Sequence, residues 1–197
     1  NPIDMALSLY RHLYYNGTEN FNSFDKAWDY QDFRKKGEFI PKFCREPKFL
    51  FYGDICKLGL QIEYAFNIFP RKNIKVIVFD EFINNTRNVY IDTLNFLNLG
   101  DDGLKTFEIV NSNKEYKNDF IRSIFTSLQN KKIIKSLLFV KKLMGINSFH
   151  IKKKFTIYNK KKTLPENTKK KLIDFFYDDV IKLSKLIKYD LSIWTKI

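Results

Sequence analysis

Apolar positions along the chain follow a helical period in one stretch and form a nearly unbroken run in another. Between Gly53 and Ile68 the apolar side chains recur every three or four residues, which predicts an amphipathic helix ended by Pro70. These side chains are Ile55, Leu58, Ile62, Ala65 and Phe66. Residues 74–79 are short, β-branched and almost entirely apolar, which is typical of a strand covered on both faces in a parallel sheet. The pattern predicts an α/β protein with one clear central strand here and the rest of its sheet upstream.

The first residues of the chain carry strong helix-start signals. Asn1 suits the N-cap, Pro2 the first helical position and Asp4 the positive end of the helix dipole, while Gly17 offers a stop. A helix that opens in this way presents free N–H groups to an anion, and Ser8, about two turns in, adds a hydroxyl donor. The alternative is a well-capped helix that holds no ligand.

Three further stretches have a predicted organisation. Asn85 or Thr86 can cap a helix running to Leu97, with Gly100 after it. Its inward-facing side chains are predicted to be Tyr90, Leu94 and Leu97.

Residues 120–144 are predicted to be largely helical. Residues 17–47 are aromatic and polar without clean periodicity, which predicts an irregular loop with short helices over a cleft. Its aromatic side chains either shape a ligand site or fill a satellite core.

Composition limits the class of protein. The chain has 197 residues, 44% of them hydrophobic and 17% aromatic, which is enough for one globular core, so we expect a single domain over 1–197. No apolar run approaches the ~20 residues of a membrane span, and no signal-peptide pattern is present at this N-terminus. We therefore expect a cytoplasmic protein, or a Golgi-lumenal one if an upstream anchor exists. Cys44 and Cys56 lack metal-ligand spacing and are expected to be free thiols, with no metal site.

The positive charge is concentrated in one part of the chain. The formal net charge is +13, and residues 131–171 hold 14 lysines and a single acidic residue, Glu166, so the remainder is neutral. Such a field attracts phosphate, sulfate or polyanionic molecules. A solvated face of a lysine-rich sequence is the alternative.

The opening pattern resembles a known phosphate-binding segment. Asn1-Pro2-x-Asp4-x-x-x-Ser8-x-Tyr10 is similar to the 3′-phosphate-binding segment of sulfotransferases that use 3′-phosphoadenosine 5′-phosphosulfate, and further landmarks of that family follow in the family's order. These landmarks are Gln61-Ile62-Glu63-Tyr64, Phe69-Pro70, Ile74 to Phe79, Asp80-Glu81-Phe82, Phe96-Leu97-Asn98-Leu99, Leu164-Pro165-Glu166 and Tyr189-Asp190-Leu191-Ser192-Ile193-Trp194.

The chain also departs from the family pattern. Met5 stands where an Arg is frequent, Asn98 replaces a Gly, and Cys56 and Leu58 replace a Gly and a Tyr. An Arg that precedes the Asn-Pro pair in the family would fall before Asn1. Nothing here matches the family's Lys-containing donor loop or the helix that supplies its catalytic base, and both lie upstream of this segment in the family. The chain is therefore identified as the C-terminal part of a sulfotransferase domain, expected to be inactive by itself.

The resemblance implies a fold and a mechanism. The fold would be a P-loop NTPase-like three-layer α/β arrangement, predominantly helical in this part. The activity would be transfer of a sulfuryl group to an acceptor hydroxyl or amine, with the base upstream of Asn1. Asn1 and Ser8 would hold the 3′-phosphate, and Lys152, Lys153 and Lys154 are candidates for closing over the nucleotide or the acceptor. The lysine field favours an anionic carbohydrate as acceptor.

Two other classes of function are compatible with a basic, aromatic-rich chain. A nucleic-acid-binding module would track phosphates with lysines and stack bases on aromatic rings, but residues 131–171 contain no Arg and few aromatic residues. A nucleotide kinase with a related core would need a Gly-rich Lys-Ser/Thr loop and Mg²⁺ ligands. His12 and His150 are expected to be structural or surface residues rather than bases.

Overall fold

The structure is a computed structural model that describes residues 1–42, 44–108, 114–116, 122, 156–158 and 164–196. The chain divides into two compact units. Unit 1 consists of Asn1–Met5, Gly53–Asn111 and Pro165–Ile197, and unit 2 of Ala6–Tyr52 and Ser112–Leu164. The expectation of a single domain stays a prediction.

The described part of the chain is mainly helical. The helices are α1 (Pro2–Tyr15), α2 (Phe24–Asp29), α3 (Gln31–Lys35), α4 (Tyr52–Ile55), α5 (Leu58–Ile68), α6 (Phe79–Asn84), α7 (Thr86–Phe96) and α8 (Glu166–Ile187). Short 3₁₀ turns cover Pro47–Leu50, Arg71–Asn73 and Ser192–Thr195. None of the helices in the described ranges is long and apolar enough to cross a bilayer.

In unit 1, α8 packs along α5. One face of α8 is buried, as expected for apolar side chains recurring every three or four residues, and its buried side chains are Leu172, Ile173, Phe176, Val180 and Leu183. Lys57, at the N-cap position of α5, makes no side-chain capping bond. The carboxylate of Asp179 on α8 supplies the cap instead, accepting from the backbone N–H groups of Gly59 at 2.8 Å and Leu60 at 2.9 Å. Asp179 thus links the two helices at the α5 N-terminus, and a salt bridge between Lys182 and Glu63 at 2.9 Å links them again.

In unit 2, aromatic rings make much of the core. Tyr10 lies 5.5 Å from Phe24 and 6.4 Å from Tyr52 between ring centroids, and Phe24 lies 5.9 Å from Trp28. Short helices between residues 17 and 47 were predicted, and α2 and α3 confirm them. Phe24 and Trp28 are buried, so these two aromatic side chains fill core space. Strands β1 (Lys114–Tyr116) and β2 (Thr156–Tyr158) pair antiparallel, with Glu115 opposite Ile157.

The predicted strand over 74–79 is wrong as stated. Residues 74–78 are extended but pair with no strand in the described part of the chain, and Phe79 already begins α6. Ile77 and Phe79 are 45% and 63% exposed, so the segment is not covered on both faces. The sheet in the described residues is the antiparallel β1–β2 pair rather than a parallel one. The apolar pattern indicates only that the side chains tend to be buried. A strand also needs a neighbouring strand to hydrogen-bond with its backbone N–H and C=O groups.

The helix predictions were more accurate. Helix α1 begins at Pro2 and is followed by Gly17 with φ 77°, as predicted. Helix α8 begins at Glu166, within the landmark Leu164-Pro165-Glu166. The helix predicted over 53–68 is divided into α4 and α5. Leu97 was expected to face inward and is 55% exposed, with Val89 the buried side chain of α7. The helix predicted over 120–144 lies outside the described residues except for Arg122.

The two cysteines are free thiols, as predicted, and they differ in burial. Cys56 is fully buried, and burial raises the pKa of its thiol to about 12, whereas Cys44 is partly exposed. Burial also raises the pKa of the Cys44 thiol, but its partial exposure lets a reagent reach it. We therefore expect a disulfide reagent at pH 8 to label one thiol of the folded protein in a fast phase and the second only on unfolding. Cys44→Ser should remove the fast phase. A fast phase retained in Cys44→Ser would contradict the burial of Cys56.

Candidate functional site

The start of α1 has the predicted cap. The side-chain oxygen of Asn1 accepts a hydrogen bond from the backbone N–H of Ile3 at 2.9 Å, and the Asn1 carbonyl accepts from Met5 N–H at 3.0 Å. Pro2 is fully buried at the first helical position. The N-cap prediction for Asn1 is therefore confirmed. One consequence for ligand binding is that the Ile3 amide is already used by the cap.

Ser8 lies on the same helix and is exposed. Its hydroxyl makes no hydrogen bond to another group in the described part of the chain, so it is available to a ligand. Ser8 lies seven positions after Asn1, which is close to two helical turns and places both on one face of α1. The other predicted nucleotide contacts, Lys152, Lys153 and Lys154, lie outside the described residues, as does His150. His12 approaches the side-chain amide of Asn16 at 2.9 Å.

A cavity of about 670 Å³ in unit 1 borders the start of α1. Among the described residues, its lining combines apolar side chains with carboxylates and includes no Lys, Arg or His. The lining residues are Asn1, Val78, Asp80, Glu81, Ile83, Asn84, Asn85, Tyr189, Asp190, Leu191, Ile193 and Trp194. Three carboxylates without a cation among them disfavour a phosphate.

Two of the cavity carboxylates have structural partners. Asp80 accepts a hydrogen bond from the indole N–H of Trp194 at 2.7 Å. This bond connects the C-terminal 3₁₀ turn, Ser192–Thr195, to the start of α6. Asp190 accepts from the backbone N–H of Ser192 at 2.8 Å, and this bond, helped by the Ser192 hydroxyl, holds the pKa of Asp190 below its usual value. The bond to Trp194 gives Asp80 a structural role in ordering the C-terminal turn. Its partner, 114 residues away, was not predicted.

A buried charged network in unit 2 was missed by the sequence analysis. Glu19 and Arg34 are both buried and form a double salt bridge, with each guanidinium–carboxylate contact at 2.6 Å. The Tyr52 hydroxyl donates to the same carboxylate at 2.6 Å, and the backbone N–H groups of Asn20 and Phe21 donate to it at 2.8 Å. This network joins the segment after α1 to α3 and α4.

The network also shifts the ionisation of its members. Burial first, and then the charge of Glu19, raise the pKa of Tyr52 far above its ordinary value, so the hydroxyl stays a donor. Burial lowers the pKa of Arg34, but the hydrogen bond and charge of Glu19 outweigh it and leave that pKa raised. Arg34 Nε is buried and has no hydrogen-bond partner among the described residues. No local sequence signal marks this network, because Glu19 and Tyr52 are 33 residues apart.

An exposed aromatic cluster lies beside this network in unit 2. The Tyr30 ring lies 4.8 Å from Phe21, 5.5 Å from Phe33 and 4.9 Å from Phe39 between centroids. Phe33 and Phe39 are about half exposed, and Phe39 has a left-handed backbone with φ 50°. These are the aromatic residues that were predicted either to shape a ligand site or to fill a core. Here Phe33 and Phe39 present rings to solvent.

The described ranges contain no group of three or more His, Cys, Asp or Glu side chains arranged to hold a metal ion. This finding covers only those ranges.

Comparisons with known proteins give one informative likeness. No family model matches the sequence, and no curated protein sequence matches it. The crystal structure of a sulfotransferase from Alicyclobacillus acidocaldarius is similar, with a TM-score of 0.60 and 21% sequence identity. The match covers 99% of this chain and 54% of that protein, so the chain spans about half the length of this neighbour. The chain therefore has a sulfotransferase-like fold.

Proposed function

We propose that the protein is a sulfotransferase that transfers a sulfuryl group from 3′-phosphoadenosine 5′-phosphosulfate to an acceptor hydroxyl or amine. The observation that carries the proposal is the structural likeness to a sulfotransferase over 99% of the chain. The capped start of α1, with Asn1 and an exposed Ser8, supports it, because the sequence there resembles the family's 3′-phosphate segment. The chain would be the C-terminal part of a P-loop-like, three-layer domain.

In this proposal, α1 recognises the donor nucleotide. The dipole of a 14-residue helix favours an anion near its first turn, and the Ser8 hydroxyl donates a hydrogen bond to the 3′-phosphate. Lys152, Lys153 and Lys154 would add positive charge near the nucleotide or the acceptor.

The chemistry would be an in-line displacement at sulfur. A base outside this chain would remove the acceptor proton, a new S–O or S–N bond would form, and the bond to the 5′-phosphate would break with 3′-phosphoadenosine 5′-phosphate leaving. The part of the protein described here would bind and orient the donor. An anionic carbohydrate is the proposed acceptor because residues 131–171 carry the whole net charge of +13.

The first test is the affinity of the complete protein for 3′-phosphoadenosine 5′-phosphate by calorimetry. We expect Ser8→Ala to weaken binding by about 1–3 kcal/mol, because it removes a hydrogen bond to a charged phosphate. Ser8→Thr keeps a hydroxyl and should lose less. Ser23→Ala, at the N-cap position of α2 where no capping bond is made, is the matched control and should leave the affinity unchanged. Equal affinities for Ser8→Ala and the wild type would remove Ser8 from the site.

A further inference from the structure

The exposed side of α1 brings Ser8 and Arg11 next to each other. The buried side chains of this helix form one stripe, made by Ile3, Ala6, Tyr10 and Leu13. At about 100° per residue, Ser8 lies opposite that stripe, and Arg11 lies about 60° from Ser8 around the helix axis. Ser8 is exposed, Arg11 is half-buried, and both belong to unit 2. The two side chains are therefore neighbours on a surface that a ligand can reach.

The spacing of Ser8 and Arg11 suits one shared ligand. Residues three apart on a helix have Cβ atoms about 5–6 Å apart. Long side chains on a helix lean toward its N-terminus, so the Arg11 side chain leans toward the turn that carries Ser8. A phosphate that accepts a hydrogen bond from the Ser8 hydroxyl is therefore within reach of the Arg11 guanidinium. This group has five N–H donors, so it can bind a phosphate and also keep its interaction within the protein.

A phosphate bound at Ser8 needs a positive charge beside it. The Ser8 hydroxyl is neutral, and Ser8 lies about two turns into α1, beyond the first turn where the helix dipole is strong. Asp4 is an exposed carboxylate one turn before Ser8, and it disfavours an anion on that side. Arg11 is the only Lys or Arg of α1 and lies one turn after Ser8. The charges of this helix therefore favour a phosphate between Ser8 and Arg11.

We propose that Arg11 binds the 3′-phosphate of the donor nucleotide together with Ser8, and that it makes the protein selective for nucleotides that carry this phosphate. The inference rests on the proposed function, and it adds a residue that lies outside the family pattern, which ends at Tyr10. His12 is exposed on the same side of α1, but its Nε2 is 2.9 Å from the side-chain amide of Asn16, one turn further from Ser8. His12 is therefore a matched control on the same helix.

The test compares two nucleotides that differ only in the 3′-phosphate, 3′-phosphoadenosine 5′-phosphate and adenosine 5′-phosphate, by calorimetry on the complete protein. We expect Arg11→Gln to weaken binding of the first by about 10-fold or more, the loss for a charge-assisted hydrogen bond, and to leave the second unchanged. Arg11→Lys keeps the charge but loses the paired donors, so its loss should be smaller. His12→Gln should change neither affinity.

The ratio of the two affinities separates a phosphate contact from a structural effect. A variant that only disturbs α1 would lose affinity for both nucleotides alike, whereas loss of the phosphate contact lowers the ratio. Fluorescence of Trp28, which is buried in unit 2, reports that each variant is folded.

Two results would overturn the role of Arg11 alone. The first is a preference for the 3′-phosphorylated nucleotide that Ser8→Ala lowers and Arg11→Gln retains. The second is an equal loss for His12→Gln and Arg11→Gln, which would assign the effect to the general charge of the helix. A wild-type protein without any preference for the 3′-phosphorylated nucleotide would overturn the proposed function as well, so the two failures are distinguishable.

Discussion

Arg34→Met is expected to destabilise unit 2 by about 3–5 kcal/mol, because it leaves the buried Glu19 carboxylate without its positive partner. The carboxylate would keep hydrogen bonds from Tyr52 and two backbone amides, but these neutral donors do not replace a full charge. The measurement is urea denaturation followed by the fluorescence of Trp28, which is buried in unit 2. Trp194→Phe in all variants leaves Trp28 as the sole tryptophan, since the chain has two.

Two further variants make this result specific. Lys36→Met removes an exposed cation two residues away and should change the stability of unit 2 by less than about 0.5 kcal/mol. The double variant Glu19→Gln with Arg34→Met removes both charges and should be more stable than Arg34→Met alone. A loss for Arg34→Met no larger than that for Lys36→Met would show that the pair contributes little to folding. A double variant less stable than Arg34→Met would contradict the uncompensated charge as the cause.

The sequence allowed prediction of those parts of the fold that depend on neighbouring residues. The start of α1 is set by the Asn1 cap, which bonds to the helix's own first turn, and by Pro2 at the first helical position, so it could be predicted correctly. The same holds for the start of α8 after Pro165. The segment at 74–78 is different, because its conformation depends on which backbone lies beside it. Its apolar pattern predicts burial but does not specify a partner.

The candidate site shows the same distinction. Asn1 and Ser8 were found because they lie on one helix, and their spacing fixes the face that they share. The Glu19–Arg34–Tyr52 network and the Asp80–Trp194 bond join residues between 15 and 114 positions apart, and no local pattern relates them. The sequence shows acidic residues in the aromatic segment 17–47, but it does not show that Glu19 is the buried one. Long-range pairing of this kind becomes visible only once the helices are packed.

Gly59→Ala is expected to destabilise unit 1 by about 2–3 kcal/mol, because a Cβ at this position would lie 2.3 Å from the backbone carbonyl oxygen of Asp179. In an ordinary helix the change would be favourable by about 1 kcal/mol. Here the clash is with backbone, which cannot rotate away, so α5 and α8 must move apart. That movement also weakens the two bonds by which Asp179 caps α5.

Gly100→Ala provides the control, because a Cβ there meets nothing within 4 Å and no positive φ is recorded at that position. It should leave the stability of unit 1 unchanged or slightly raised when denaturation is followed by Trp194 in a Trp28→Phe background. Asp179→Ala identifies the clashing atom. It removes the carboxylate but leaves the carbonyl, so it should not rescue Gly59→Ala and should itself cost about 1 kcal/mol through the lost cap. Rescue would place the clash on the side chain and would mean that the two helix backbones are not in close contact at Gly59.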